Sequence, residues 1–423
     1  MKTKTIAVLF GGRSGEHEVS LVSAESVMKA LDPARYTVVP VGVDKDGRWW
    51  TGTDALSFLR SGGMESSAAD SSPRDVEHAT AGVAPRESGR DTADVAPRES
   101  GRDAADVAPR ESGRDCRPCF LPPDPTRRAL LVRVEAGWEE ISVDVVFPVI
   151  HGTFGEDGTM QGLFELADLP YVGAGVAGSA VAMDKVLQKR LHRDAGLPVP
   201  EFLHFHSTAI RERAEDIATE VEAALGMPLF VKPPNLGSSV GISKAHNRSE
   251  LITALRHAAQ FDRKVLIERA VPEAREIEVA VLGNQDPVAS IPGEVVPSND
   301  FYDYDAKYVD GASALHIPAD LPVDLADRIR ALAVEAFRTL DCEGMARVDF
   351  LLSRTDGALY INEINTIPGF TSISMYPKLF AAVGIPYPEL LDRLIALAER
   401  RHAEQRALLR SYTPKTDWHR RDG

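Results

Sequence analysis

The chain has 423 residues, 43% of them hydrophobic, which suffices for two or three domains with cores of their own. A formal net charge of −15 and a sequence pI near 5.3 argue against bulk attraction to nucleic acid or an anionic membrane, though not against a local basic pocket. No apolar run reaches the roughly 18 residues of a membrane span. The apolar start "MKTKTIAVLF" is short for a signal peptide, and three cysteines make no disulfide framework, so a cytoplasmic setting is expected.

The first strand, "KTIAVLF", runs into a Gly-rich turn and a helix, "GGRSGEHEVS". Such a turn at the carboxyl end of a parallel strand is where α/β sheets take ligands. Glu16 lies in it; the plain alternative is a helix-start carboxylate favoured by the helix dipole. Val-, Ile- and Phe-rich strands alternate with helical patterns through the first 58 residues and again from about Arg128, which indicates α/β layers.

Between them lies other material. Three consecutive copies of a twelve-residue unit, "VAPRESGRDTAD", "VAPRESGRDAAD" and "VAPRESGRDCRP", fill Val83 to Pro118, and Arg60 to Cys119 contains no Leu, Ile, Phe, Tyr or Trp. Such a segment cannot bury enough apolar surface to offset its ordering entropy, so a disordered insertion is expected over about 60–118. A stacked solenoid is excluded because no copy has a hydrophobic face. Cys116 and Cys119 form a CxxC in this setting, with no second cysteine pair for a metal.

Beyond it, "ISVDVVFPVIHG" is a buried strand that leads to His151, and "SAVAMDKVLQKRLHRDAGLP" reads as one helix ended by Gly196 and Pro198. "MPLFVKPPNLGSSVGISKA" is strand, loop, strand. Its glycines allow close backbone approach and its serines and amides suit an anion, with Lys185 and Lys232 placed to meet phosphate charge; the plain alternative is a hairpin turn. "VLIERAV" and "EIEVAVLG" are further strands. The loop "NDFYDYDAKY" has the aromatic, acidic composition of a lid or of a surface connection.

The stretch "RVDFLLSRTDGALYINEINTIPG" is a hairpin about Asp356-Gly357. Residues two apart in a strand share a face, so Arg347 pairs with Asp349 and Glu363 with Asn365 in an otherwise apolar ribbon. Two carboxylates and an amide oxygen on adjacent strands suit a hard dication that also holds phosphate and water. A solvated strand face is the alternative, and the interleaved Ile361, Ile364 and Ile367 speak against it. "PYPELLDRLIALAERRHAEQ" is a last helix before a polar tail.

Taken in order, "GGRSGEHEVSL", "HGTFGEDGTMQG", "GSSVGISK", "YDYDAKY", "RVDFLL" and "NEINTIPGFTSISMYP" resemble the D-alanine–D-alanine ligases of the ATP-grasp superfamily, over all but the insertion and the tail. The resemblance implies an α/β (α+β) three-domain ATP-grasp fold with an N-terminal doubly wound domain. Expected divisions are 1–174, 175–267 and 268–405, with a flexible tail at 406–423. It implies ATP-dependent joining of two D-alanines through a D-alanyl phosphate, for peptidoglycan precursors.

By the same resemblance Asp349, Glu363 and Asn365 look like ligands of two Mg²⁺ (or Mn²⁺) ions. Lys185, Lys232, Ser238 and Ser239 would meet ATP phosphates. Glu268 would meet the adenine amino group and Glu276 the ribose hydroxyls, with Phe301 also among the nucleotide contacts, while Lys307 would reach the transferred phosphoryl group. Glu16 would fix the first D-alanine's ammonium within a hydrogen-bonded set with Ser238 and Tyr308, and His151 would lie near that amino acid. Arg347 and the Gly369 N–H would stabilise the oxyanion, and Ser374 and Met375 would take the second D-alanine's carboxylate. A homodimer is expected, with no nucleic-acid or membrane partner. The rivals are a D-alanine–D-lactate ligase, disfavoured by the Tyr308 of "DAKY", another ATP-grasp carboxylate–amine ligase, and a nucleotide-binding scaffold with a partner-recruiting repeat.

Overall fold

Three β-sheets organise the computed structural model, which describes residues 3–62, 115–296 and 314–412. Residues 63–114, which hold all but the last four residues of the repeat, lie outside that range, as do Phe301, Lys307 and Tyr308, so the expectations attached to them concern undescribed positions.

The N-terminal sheet has seven strands in the order Gly137–Ser142, Ala129–Val134, Arg117–Phe120, Trp49–Thr51, Tyr36–Val43, Lys4–Gly11 and Val145–Pro148. Its last three strands are parallel, as their near-continuous apolar sequence requires, and the rest form an antiparallel extension. Arg117 and Pro118, assigned from composition to the insertion, belong instead to a strand: they pair with Thr51 and Trp50, and Cys119 is buried. Sheet pairing and the burial of Cys119 recruit the repeat's last residues into the core.

A four-stranded antiparallel sheet, Ser243–Ala245, Leu229–Lys232, Lys264–Arg269 and Phe202–His206, packs under the helices Ser207–Leu225 and Arg248–Ala258. The third sheet runs Ala314–His316, Gly293–Val296, Ala274–Gly283, Gly344–Ser353 and Leu359–Asn365, with Val288–Ala289 pairing at the side. The helix Val323–Thr339 covers one of its faces, and Met375–Ala382 and Tyr387–Arg406 cover the other.

The run read as one helix is two, Val176–Met183 and Lys185–Asp194. Asp184 turns extended (φ −84°, ψ 97°), and its carboxylate accepts from Val186 N at 3.1 Å and Leu187 N at 3.2 Å while pairing with Lys264. An N-cap that satisfies two orphan donors starts a new helix at Lys185. The last helix clamps the C-terminal layer to the first sheet. Tyr36 Oη donates to Asp392 at 2.7 Å, Arg401 donates to Tyr171 O at 2.9 Å, and Leu390, Leu391 and Leu394 share one core with Ile6, Val8 and Phe10.

Candidate active site

The hairpin pairs as its sequence suggests. Arg347 stands opposite Asn365 and Asp349 opposite Glu363, while the register shifts between Asp349 and Phe350 so that Asn362 is an extra residue. Such a bulge re-aims its residue. Asn362 gives its carbonyl to Lys189 Nζ at 2.9 Å and its Oδ1 to Lys232 Nζ at 3.3 Å.

Arg347 forks onto Asp349, Nε to Oδ1 at 2.7 Å and an Nη to Oδ2 at 2.6 Å, and Asn365 Nδ2 donates to the same Oδ2 at 3.0 Å. On the neighbouring strand Glu278, in register with Asp349, lies 3.1 Å from Arg347 Nε. Burial works against the guanidinium charge, yet Asp349 and Glu278 outweigh it and hold Arg347 firmly protonated. Glu363 meets Lys185 Nζ at 3.1 Å, and the same ammonium donates to Leu236 O at 3.0 Å. Burial of Lys185 is overcome by Glu363, which raises its pKa. A single lysine thus ties the hairpin to the Gly-Ser loop.

That loop leads on to Glu16. Ser238 Oγ donates to Glu16 Oε1, and a Cβ on Gly237 would meet the Glu16 carboxylate, so a larger residue there would have to displace Glu16. Ser238 and Ser239 hold φ of +49° and +61°, the left-handed region that non-glycine residues adopt at a cost of about 1 kcal/mol each. Glu16, Ser238, Lys185, Glu363, Asp349 and Arg347 are thus brought together from three parts of the chain: Glu16 bonds the Gly-Ser loop at Ser238, Lys185 bonds the same loop at Leu236 and pairs with Glu363, and Glu363 faces Asp349 across the hairpin. Tyr308, the third expected member of the set with Glu16 and Ser238, lies outside the described residues.

Further residues line the site. Glu268 is buried with both oxygens paired, to Lys189 at 2.7 Å and Lys232 at 2.6 Å. Burial opposes its ionisation, but the two ammoniums hold its pKa below the ordinary value; burial lowers that of Lys189. Glu276, half-buried, stands on the same strand as Glu278. Ser374 Oγ accepts from Thr371 N at 3.1 Å and caps the loop before Met375, which is buried at the start of its helix. His151 uses both ring nitrogens within the protein, Nδ1 with Ile367 O at 2.8 Å and Nε2 with Ser23 Oγ at 3.1 Å, and burial lowers its pKa.

Lys189, Glu278 and Glu156 were not among the sequence candidates. Lys189 had a signal: it follows Lys185 by one helical turn, and two like charges on one face need opposing acids. Glu156 lies within "HGTFGEDG" as one acid of a Gly-rich loop, which gives no hint of its burial. Burial and the neighbouring Glu16 charge push it up to about 8.

The donor set fits a divalent cation held with a nucleotide. Among the described residues no three His, Cys, Asp or Glu side chains form a metal cage. The hairpin offers two facing carboxylates and an amide, which leaves coordination positions for phosphate oxygens and water. Arg347 and Lys185 balance the same carboxylates here, so the site is built to carry positive charge between these strands. Among the described residues no helix is long and apolar enough to cross a membrane.

Comparison with known proteins agrees with this geometry. The family model "D-ala D-ala ligase N-terminus" matches residues 5–174 and "D-ala D-ala ligase C-terminus" matches residues 191–396. D-alanine–D-alanine ligases of Chloroherpeton thalassium and a Thermoanaerobacter species are 45% and 48% identical over 406 residues, 96% of this chain and 99% of each relative. Among solved structures, the VanG D-Ala:D-Ser ligase of Enterococcus faecalis superposes with a TM-score of 0.73 at 32% identity, covering 94% of this chain and all of that one. The D-alanine–D-alanine ligase of Coxiella burnetii gives 0.69 at 33%, covering 96% of this chain and 97% of its own. From its first strand to its last helix, the chain belongs to the D-alanine–D-alanine ligase family.

Proposed function

We infer that this chain joins two D-alanines into D-alanyl-D-alanine, a peptidoglycan precursor, with cleavage of ATP to ADP and phosphate. The observation that carries the reading of the site is that the Gly-Ser loop bonds Glu16 through Ser238 and Lys185 through Leu236 O, while Lys185 pairs with Glu363 on the Asp349–Glu363 hairpin. The set spans one amino-acid end and one nucleotide end.

The reaction sets the demands on these groups. A carboxylate does not acylate an amine in neutral water, so the first D-alanine's carboxylate oxygen attacks the γ-phosphorus of ATP and the bond to the β-phosphate oxygen breaks. Phosphoryl transfer is mostly positioning and charge stabilisation. Lys185, Lys232, Ser238, Ser239 and Lys307 are assigned to the phosphates, with Glu276, Phe301 and Glu268 on the nucleoside side; Phe301 and Lys307 lie outside the described residues. Because both Glu268 oxygens are already paired, we assign it to orienting Lys232 as well as to the adenine amino group. Asp349, Glu363 and Asn365 would hold the divalent metal, two Mg²⁺ or Mn²⁺ ions in our reading, which supplies further positive charge to the phosphates when bound.

Glu16 holds the first D-alanine's ammonium, with Ser238 and Tyr308 closing the Gly-Ser loop over a water-labile acylphosphate. Ser374 and Met375 bind the second D-alanine through its carboxylate. Its amine then attacks the acyl carbon, the C–O bond to phosphate breaks, and a proton leaves the nitrogen. Arg347 and the Gly369 N–H receive the negative charge of the tetrahedral oxygen. We further assign the enzyme to the cytoplasm and to a homodimer.

The test is ADP release by the purified enzyme over D- and L-amino acids, with D-lactate and D-serine as competing second substrates. D-alanine-dependent release with one dipeptide per ADP is expected. Preferential ester formation at neutral pH, or release indifferent to D-alanine, overturns the reading.

A further inference from the structure

The loop that carries Gly369 is held from outside its own sheet. It leaves the hairpin at Ile367 and passes through Pro368 and Gly369 to Phe370. Its polar backbone groups are met by side chains of the N-terminal unit. Ile367 N–H donates to Glu156 Oε2 at 3.1 Å, Ile367 O accepts from His151 Nδ1 at 2.8 Å, and Phe370 N–H donates to Ser23 Oγ at 3.4 Å. Ser23 Oγ in turn lies 3.1 Å from His151 Nε2, and Glu156 Oε1 accepts from Gly152 N at 2.9 Å.

One proton order satisfies the set. Ile367 O can only accept, so His151 Nδ1 carries a proton, its Nε2 accepts the Ser23 hydroxyl proton, and Ser23 Oγ accepts from Phe370 N–H. Ser23, His151 and Glu156 are all buried. The Phe370 ring packs on Phe147 of the first sheet, centroids 6.0 Å apart, and Tyr387 Oη donates to Phe370 O at 2.7 Å. Pro368 has no N–H. Between the two clamped residues the chain therefore offers a single N–H, that of Gly369, which has no partner among the described residues.

We propose that Ser23 and Glu156 are positioning residues for the ligation step: with His151 they clamp the peptides on both sides of Gly369 and fix the direction of its N–H toward the oxyanion. The inference rests on the assignment of that N–H as an oxyanion donor. The clamp belongs to the N-terminal unit, which also holds Glu16. The same unit thus carries the group for the first D-alanine's ammonium and the side chains that hold the donor for its carbonyl oxygen. A misplacement of about 1 Å in such a site is worth on the order of 100-fold in rate.

The experiment compares Ser23→Ala and Glu156→Gln with the wild type in two assays on the full-length enzyme. One follows dipeptide formation. The other follows exchange of the β,γ-bridge oxygen of ATP into non-bridging positions with D-alanine present, which reports reversible phosphoryl transfer alone. Dipeptide formation is expected to fall roughly 10–100-fold while exchange stays within a fewfold, and Ser23→Thr, which keeps the hydroxyl, should regain most of the loss. Equal loss in both assays, or loss in neither, overturns the clamp.

Arg347→Ala run beside them separates the two levels. If it slows ligation while the clamp variants do not, the clamp is wrong and the oxyanion assignment stands. If it too leaves ligation intact, that assignment and the clamp fall together. Should Glu156→Gln fail to fold, Ser23→Ala, which removes one oxygen, carries the test alone.

Discussion

Removal of the Arg347 side chain separates catalysis from metal binding at the hairpin. The guanidinium bonds both Asp349 oxygens at 2.7 and 2.6 Å and lies 3.1 Å from Glu278. In Arg347→Ala the proposed oxyanion donor is lost, which should cost about 10²–10³ in turnover, roughly 3–4 kcal/mol of barrier. The fold loses the cation between two carboxylates whose side chains are 13% and 9% exposed. Breaking a fully buried pair costs about 3–5 kcal/mol. Here Asn365 still donates to Asp349 and the hairpin is partly open to water, so a stability loss below about 3 kcal/mol is expected and the protein stays folded. Asp349, freed from the fork, should bind a divalent cation at least as tightly as before. Coupled ADP release, chemical unfolding and Mn²⁺ titration read the three quantities. Near-normal turnover would remove the oxyanion role, and loss of metal binding together with turnover would make Arg347 a support of the metal site instead.

Other outcomes follow from the same geometry. Lys189→Ala leaves Glu268 one cation short and the Asn362 carbonyl without its ammonium; unfolding by denaturant should show a loss of about 3–5 kcal/mol, and a loss under about 1 would contradict the buried pairing. His192, fully buried with its pKa pushed down to about 4, is neutral when folded and titrates near 6.5 when unfolded. Its contribution is complete above about pH 6.5 and is lost as pH falls toward 4, about 3 kcal/mol in all; His192→Gln should flatten stability in that window. Deletion of Gly63 to Arg114 should leave activity within a fewfold, because the strands on either side of it already pair with each other. Asp115 N donates to Asp54 at 2.9 Å, and the strands Trp49–Thr51 and Arg117–Phe120 pair as neighbours. A large drop would give the repeat a part in the fold or the site.

The sequence shows most clearly what is local. Period-two alternation puts Arg347 with Asp349 and Glu363 with Asn365, the register of the hairpin brings the two pairs side by side, and the Gly-Ser loop announces itself by composition. The break at Asp184 escaped because the apolar period continues across it, whereas its cause is a cap reinforced by Lys264, which is 80 residues away. Glu156 and Ser23 escaped for a different reason. Their partners are backbone groups of residues 211 and 347 positions along the chain, and a peptide N–H carries no mark in the sequence. Arg117 and Pro118 look like the rest of the repeat and become a strand only because Trp49–Thr51 pairs with them, in a strand whose other side meets Ala129–Val134.

The central claim is that the hairpin's carboxylates hold a divalent cation for the nucleotide. Titration of Mn²⁺, followed by its electron spin resonance signal with a non-hydrolysable ATP analogue present, tests it directly. The wild type should bind the ion, and Glu363→Gln and Asp349→Asn should each weaken binding at least tenfold while remaining folded. Unchanged Mn²⁺ affinity in both variants would contradict the account.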